Sequence, residues 1–306
     1  MMGALPDFVI IGAGKSASTW LHLALRQHPA VYMPRDETPF FEDPYYDADG
    51  IDSLRAALQA APAGAVIGIK RPNYLCTPEC PPRLAKHLPH AKLIAILRNP
   101  VDRAVSQYYH LIRSGRFPLL EADIAFSRYL AGRFDPPYAK QLVMEFGLYA
   151  EGIGRYRGVF PSDQLLILTD LDMQSSSPAE VFKRVCRFVN IDDTFTPAGI
   201  SMPRNQGVYF SPLLSFVQSM NHYGQSFDPA TGLVTTRPGP VAWGARCLAL
   251  LGSRLSAASR IFVRDQEPAV SPGTKARLLE FYLADIVKLE AMTNIDLAAW
   301  KRLPQA

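Results

Sequence analysis

Four short apolar runs, at residues 8–11, 66–69, 93–97 and 165–168, limit what this chain can fold into. Each is continuous rather than alternating, as suits strands covered on both faces in a parallel sheet. Helical patterns separate them. One begins near Ser18 and carries Trp20, Leu21, Leu23, Ala24 and Leu25; another follows Pro100 and carries Val101, Ala104, Val105 and Tyr108. Strand–helix alternation of this kind predicts an α/β fold with right-handed crossovers. With 306 residues, 48% of them hydrophobic, the chain can bury a large core, and a single domain over 1–306 is expected.

The stretch 207–270 reads differently. It is rich in Gly, Pro, Ser and Asn, and is expected to be a helical insertion or lid. After it, Ser271 and Pro272 form a good N-cap and first-turn pair for a closing helix. The apolar face of that helix is Leu278, Leu279, Tyr282, Ile286, Leu289 and Met292.

A formal net charge of only +4 gives no footprint for nucleic acid, although 32 Lys and Arg leave enough charge to line one anion-binding cleft. Cys76, Cys80, Cys186 and Cys247 do not form a disulfide framework. With no soft ligands at suitable spacing beside them, no metal site is expected. The first residues lack a basic leader and no apolar run reaches spanning length, so a soluble, cytoplasmic protein is expected.

The first apolar run leads into Gly12-Ala13-Gly14-Lys15-Ser16-Ala17-Ser18-Thr19, followed by Trp20 and a helix. Small residues let the backbone curl around an anion, and the helix N-terminus aims N–H groups at it. Lys15 adds a full charge, and Ser16, Ser18 and Thr19 add hydroxyls. The spacing is not Walker A, because Lys15 comes three residues after Gly12; nor is it a dinucleotide fingerprint, because Ala17 stands where a third glycine belongs. The fold class is therefore a P-loop-like parallel sheet flanked by helices, with a helical C-terminal insertion. The third run ends in Leu97-Arg98-Asn99-Pro100, which sets Arg98 at the carboxyl end of a parallel strand, where open α/β sheets bind ligands. Ser106 follows two turns along the next helix, and a guanidinium and a hydroxyl there suit one phosphate.

These two segments, in this order and separation, resemble the sulfotransferases that use 3′-phosphoadenosine 5′-phosphosulfate (PAPS). The likeness is greatest to the Golgi heparan sulfate enzymes and their bacterial relatives. It extends to Glu37-Thr38-Pro39-Phe40-Phe41, to Gly68-Ile69-Lys70-Arg71-Pro72-Asn73-Tyr74, to Asp170-Leu171, and to the last helix with Asp296 and Trp300. The resemblance implies that the loop 12–19, with Trp20, binds the 5′-phosphosulfate, that Lys15 assists the leaving group, and that Arg98 and Ser106 hold the 3′-phosphate. It also makes Glu37 the catalytic base and places Lys70 in the active site. Arg204 is the nearest candidate for a further phosphate contact, although the segment around it departs from the Gly- and Lys-rich stretch of eukaryotic members. The products would be 3′,5′-ADP (PAP) and a sulfated acceptor, which could be a small metabolite, a glycan or a lipid. A histidine is the fallback base, from His22, His28, His87, His90, His110 and His222. The rival readings are a P-loop-type nucleotide phosphotransferase or NTPase, and a non-catalytic nucleotide-binding protein.

One feature bears on the acceptor. Between residues 243 and 264, Leu248, Leu251, Leu255, Ala258 and Phe262 recur at helical spacing, while Arg246, Arg254, Arg260 and Arg264 gather on the opposite side. Such a helix suits peripheral contact with an anionic membrane or binding of an anionic sugar. The plainer expectation, which we favour, is a lid helix whose leucines pack on the core and whose arginines face water.

Overall fold

The computed structural model describes residues 5–47, 51–200, 211–227, 234–258 and 269–302, with only the backbone of 211–213, 227 and 253–258. The chain forms two compact units, the first from residues 1–99, 148–203 and 285–297, the second from 100–147, 204–284 and 298–306. The stretch 207–270 falls in the second unit.

The first unit contains strands β1 (Phe8–Gly12), β2 (Val31–Tyr32), β3 (Val66–Lys70), β4 (Lys92–Leu97) and β5 (Leu165–Thr169). Its helices are α1 (Ser18–Leu25), α2 (Asp52–Ala57), α3 (Cys80–His87), α6 (Tyr149–Arg157), α7 (Asp170–Ser175) and α8 (Pro178–Val189). The sheet order is β2-β3-β1-β4-β5, and every pairing is parallel. All four apolar runs are strands, each one residue longer than read from the sequence. The two-residue β2 carries no comparable signal.

All five residues of the central strand β1 are buried, which explains its unbroken apolar sequence. Phe8 and Ile10 face one core with Trp20, Leu21 and Leu25 of α1 and Val181, Phe182, Val185, Cys186 and Val189 of α8. The spacing of the α8 residues makes one stripe along that helix, and fully burying each large aliphatic side chain contributes about 1.5–3 kcal/mol. Ser177 caps α8 by accepting the Glu180 N–H at 3.2 Å, and Asn190, left-handed at φ 60°, ends it. Register places Gly68 opposite Phe8, where a Cβ would come 2.1 Å from the Phe8 ring. Only glycine leaves space for that ring.

The second unit contains α4 (Pro100–Arg113), α5 (Ala122–Leu130), α9 (Ser211–Gly224), the antiparallel ribbon β6 (Gln225–Phe227) and β7 (Val234–Thr236), and α10 (Pro240–Ala258). Helix α11 (Pro272–Thr293) begins in this unit and ends in the first. As expected, Ser271 caps α11: its hydroxyl accepts the Thr274 N–H at 3.2 Å and donates to Asp123 at 2.8 Å. Leu278, Tyr282, Ile286 and Leu289 are buried along it, whereas Leu279 and Met292 are half-buried. Asp296 and Trp300, read with the last helix, lie beyond its end, and Trp300 is buried in a 3₁₀ turn at Ala298–Lys301.

The leucine face expected for 243–264 is not the face that packs. Helix α10 packs on α9 through Ala242, Ala245, Ala249 and Gly252, while Leu248 and Leu251 are exposed. The cause is close approach. A Cβ at Gly252 would lie 3.0 Å from Val217 Cγ2, and one at Gly224 would lie 2.7 Å from Arg246 Cγ. A leucine stripe cannot occupy so narrow a seam. Of the arginines in that reading, Arg254, Arg260 and Arg264, like Leu255, Ala258 and Phe262 on the apolar side, lie outside the described residues or side chains.

Candidate active site

The candidate site is built at the carboxyl edge of the first unit's sheet, where β1, β3 and β4 end. Beyond Gly12, the Ala13 N–H donates to the Ile96 carbonyl of β4 at 2.7 Å, which anchors the start of the loop. The chain then turns through Lys15 and Ala17, both left-handed at φ 69° and φ 67°. Ala17 is the N-cap of α1 and its side chain caps nothing. The first intrahelical bond there is Leu21 N–H to Ala17 C=O at 3.2 Å, so the N–H groups of Ser18, Thr19 and Trp20 have no partner within the helix. These donors and the positive end of the helix dipole suit a phosphate or sulfate.

Side chains support the same reading. Ser16 is 4% exposed, and its hydroxyl has no hydrogen-bond partner among the described residues. A buried hydroxyl left this way is costly unless a ligand completes it, so the loop fits an oxyanion. Lys15 and Gly14 are half-buried at the loop tip, and Ser18 is buried. The Trp20 indole sits in the core and donates to the Ile200 carbonyl at 3.0 Å, so Trp20 offers the loop only its main chain.

Arg98 follows the last residue of β4. Its guanidinium reaches the Lys15 carbonyl at 3.4 Å, and its own carbonyl accepts from the Tyr149 hydroxyl at 3.0 Å. The following turn is fixed by Asp170, whose carboxylate accepts the Asn99 N–H at 3.1 Å. Loop and arginine thus share one edge of neighbouring strands, as the sequence predicts. Ser106 lies half-buried in α4 of the second unit, and Arg204 lies outside the described residues.

Glu37, Lys70 and Thr19 are joined directly. Lys70, the last residue of β3 and 5% exposed, places Nζ 3.1 Å from Thr19 Oγ1 and 3.1 Å from Glu37 Oε1. The carboxylate-bearing segment is pinned from below. Phe40 and Phe41 are buried, the Thr38 N–H donates to the Lys70 carbonyl at 3.1 Å, and the buried Tyr74 hydroxyl donates to the Thr38 carbonyl. The paired phenylalanines of the Glu-x-x-Phe-Phe pattern are therefore the anchor, and the glutamate is what they present.

Two residues of this cluster had no role in the sequence reading. Arg71 donates to Glu37 Oε2 at 3.1 Å and grips Glu42 with two bonds, Nε to Oε1 at 2.8 Å and Nη2 to Oε2 at 2.5 Å. Burial alone would depress the Arg71 guanidinium; the hydrogen bonds and charge of Glu42, then Glu37, outweigh burial and hold it above its ordinary value. Two adjacent cations at a strand end and two carboxylates around a Phe-Phe pair were the available signals.

Two of the fallback histidines bond main-chain carbonyls. His22 bonds the Pro34 carbonyl at 2.8 Å; burial holds it below the usual histidine range, and Lys70 and Arg26 depress it further. His28 bonds the Asp192 carbonyl at 2.9 Å. His87 and His90 line a cavity of about 480 Å³ with Asp7 and Lys92, at the opposite, amino-terminal edge of β1 and β4. His110 and His222 are exposed in the second unit.

A parallel sheet carrying an anion loop, a basic strand end and a carboxylate bridged by lysine defines a group-transfer site for a phosphate-bearing donor. The sulfotransferase domain family matches residues 5–198, and the chain belongs to that family. It is 30% identical over 193 residues to mouse heparan sulfate glucosamine 3-O-sulfotransferase 3B1, covering 63% of this chain and 48% of that one. It is 32% identical over 201 residues to mouse bifunctional heparan sulfate N-deacetylase/N-sulfotransferase 4, covering 61% of this chain and 22% of that one. The chain thus spans about half the length of the first relative and less of the second. Among solved structures, a sulfotransferase from Alicyclobacillus acidocaldarius superposes with a TM-score of 0.67 at 22% identity, covering 98% of this chain and 100% of that one. A mouse sulfotransferase complexed with PAP superposes with a TM-score of 0.50 at 16% identity, covering 98% and 89%. The resemblance read from the motifs, and the α/β fold it implies, are borne out.

Proposed function

We propose that the chain transfers a sulfuryl group from PAPS to an acceptor hydroxyl and releases 3′,5′-ADP. The observation that carries this is Lys70, which bridges Thr19 of the anion loop and Glu37 with one ammonium group. Sulfuryl transfer needs an acceptor oxygen aligned for in-line attack, a base for its proton, and positive charge on the leaving oxygen. Glu37 takes the acceptor proton as the new O–S bond forms and the S–O bond to the donor's 5′-phosphate breaks. Lys15, with the N–H groups of Ser18, Thr19 and Trp20, stabilises the charge left on that phosphate. Lys70 holds the carboxylate beside the transferring group. Arg98 and Ser106 are assigned to the 3′-phosphate, and Arg204 remains the candidate for a further contact. The acceptor we favour is a glycan or lipid hydroxyl; matching relatives that are named for heparan sulfate support the glycan.

The test is thermal stability with 3′,5′-ADP, set against ATP with Mg²⁺ and GTP with Mg²⁺, for the wild type and Arg98→Ala. A ligand at about 100 times its Kd stabilises the folded state by about 2.7 kcal/mol. The expected result is stabilisation by 3′,5′-ADP alone, lost in Arg98→Ala. Stabilisation by ATP or GTP with Mg²⁺ and none by 3′,5′-ADP would reverse the proposal in favour of a phosphotransferase.

A further inference from the structure

In the second unit, α9 and α10 form a hairpin whose outward surface is apolar. Helix α10 buries its small residues against α9, and this turns Val241, Trp243, Cys247, Leu248, Leu250 and Leu251 to solvent. Val241 is 76% exposed, and Trp243 and Leu250 are each 64% exposed. Over residues 240–252 the only charged side chain is Arg246, which lies at the seam with Gly224. Apart from Arg254, which follows on the same helix with its side chain outside the described residues, this outward face is apolar, unlike a solvated lid face.

Over residues 207–270 the sequence holds five arginines and three carboxylates, Asp228, Asp265 and Glu267, so the stretch is net basic. Among the described residues, Arg237 is exposed, and its N–H donates to the Gly224 carbonyl at 3.2 Å, beside the exposed Tyr223. Trp243, Tyr223 and an arginine next to an apolar helical face combine the interfacial aromatics and cationic flank of helices that lie in the plane of a bilayer. No described helix is long and apolar enough to cross a membrane, so contact at the surface is the form this hairpin allows.

We propose that the α9–α10 hairpin docks on an anionic lipid surface, with the outward face of α10 set into the boundary between headgroups and acyl chains. The docking surface rests on the hairpin alone, so a failure of the sulfotransferase reading would leave it standing. The test is co-sedimentation of the full chain with phosphatidylcholine vesicles containing roughly one-third phosphatidylglycerol, set against phosphatidylcholine alone. Trp20 and Trp300 are buried whereas Trp243 is exposed, so a blue shift of the intrinsic fluorescence reports on α10. Binding to the anionic vesicles with a blue shift is expected, and the double variant Leu248→Glu/Leu251→Glu is expected to lower partitioning at least about tenfold. Both sites are exposed, so the variant keeps its fold and its stabilisation by 3′,5′-ADP; Trp243→Phe keeps sedimentation and loses the shift. The proposal is overturned by absence of vesicle binding, by equal binding to neutral vesicles, or by unchanged binding of the double variant. A solution dimer that the double variant dissociates would also overturn it, by assigning the face to self-association.

Discussion

Glu37 stands between two cations that do different things. Lys70 is shared with Thr19 of the anion loop, whereas Arg71 is committed to Glu42, which is itself 8% exposed. Arg71 is therefore a positioning residue: it sets one carboxylate oxygen of Glu37 while Glu42 fixes its own guanidinium. Glu37→Gln should lower kcat by about 10²–10⁴-fold, because the carboxamide cannot take the acceptor proton. Arg71→Lys should lower kcat and leave the Kd for 3′,5′-ADP unchanged, because lysine cannot form the two-pronged grip. Arg71→Met should also cost about 3 kcal/mol in denaturant unfolding, since it leaves Glu42 buried without a partner. Unchanged kcat in Arg71→Lys would show that Glu37 needs no such support. Glu37 and Lys70 were legible because each belongs to a short contiguous pattern. Arg71 was not, because its partner Glu42 lies 29 positions earlier in the chain and meets it only in the fold.

Elements were legible where apolar sequence and burial coincide, as in β1, β3, β4 and β5, and where a cap is spelled out, as at Ser271. They were misread where packing depends on smallness. Helix α10 buries alanine and glycine and exposes leucine, an order that hydrophobic periodicity ranks in reverse. Helix α6 illustrates a contact between distant parts of the sequence. The carboxylate of Asp285 accepts the Ala150 N–H at 3.2 Å from each oxygen, at the amino end of that helix. Burial raises Asp285 above the ordinary carboxylate value of 3.8, although the Ala150 and Tyr149 N–H groups work against the rise. Between 3.8 and the folded value, the folded protein holds a proton that the unfolded chain has released, so this group's contribution to stability falls as pH rises. Asp285→Asn removes the titration and keeps an acceptor. Its stability relative to wild type should therefore be greatest near neutral pH and shrink on acidification, as measured by urea unfolding from pH 7 toward pH 4. A constant difference would rule out Asp285 as the titrating group.

For the whole molecule, the family match and the fold do not share a boundary. The match stops at residue 198, yet the first unit also takes in residues 285–297. From that late segment Ile286, Leu289 and Leu297 are buried, Asp285 bonds Ala150, and the Met292 carbonyl accepts from Arg157. Each of the three aliphatic side chains is worth about 1.5–3 kcal/mol when buried, a total comparable to the net stability of a typical domain. A chain ending at residue 203 should therefore lack a cooperative unfolding transition, even though it retains every matched residue; circular dichroism on heating checks this. A sharp transition in the shortened chain would show that the late segment is dispensable. No sequence pattern gives this division, since the apolar face of α11 is continuous from Leu278 to Leu289 while its two halves serve different units.

The return of residues 285–297 to the first unit also sets an order of events during synthesis. The anion loop and all five strands leave the ribosome before residue 204, but the segment that completes their unit follows the 81 residues from 204 to 284. At roughly 5–20 residues per second, those residues take about 4–16 s to make. For that interval the nascent first unit lacks Ile286, Leu289 and Leu297, which are buried in the finished fold. Nascent-chain factors that shield exposed apolar surface have their clearest task here, and rare codons between 204 and 284 would prolong the exposure.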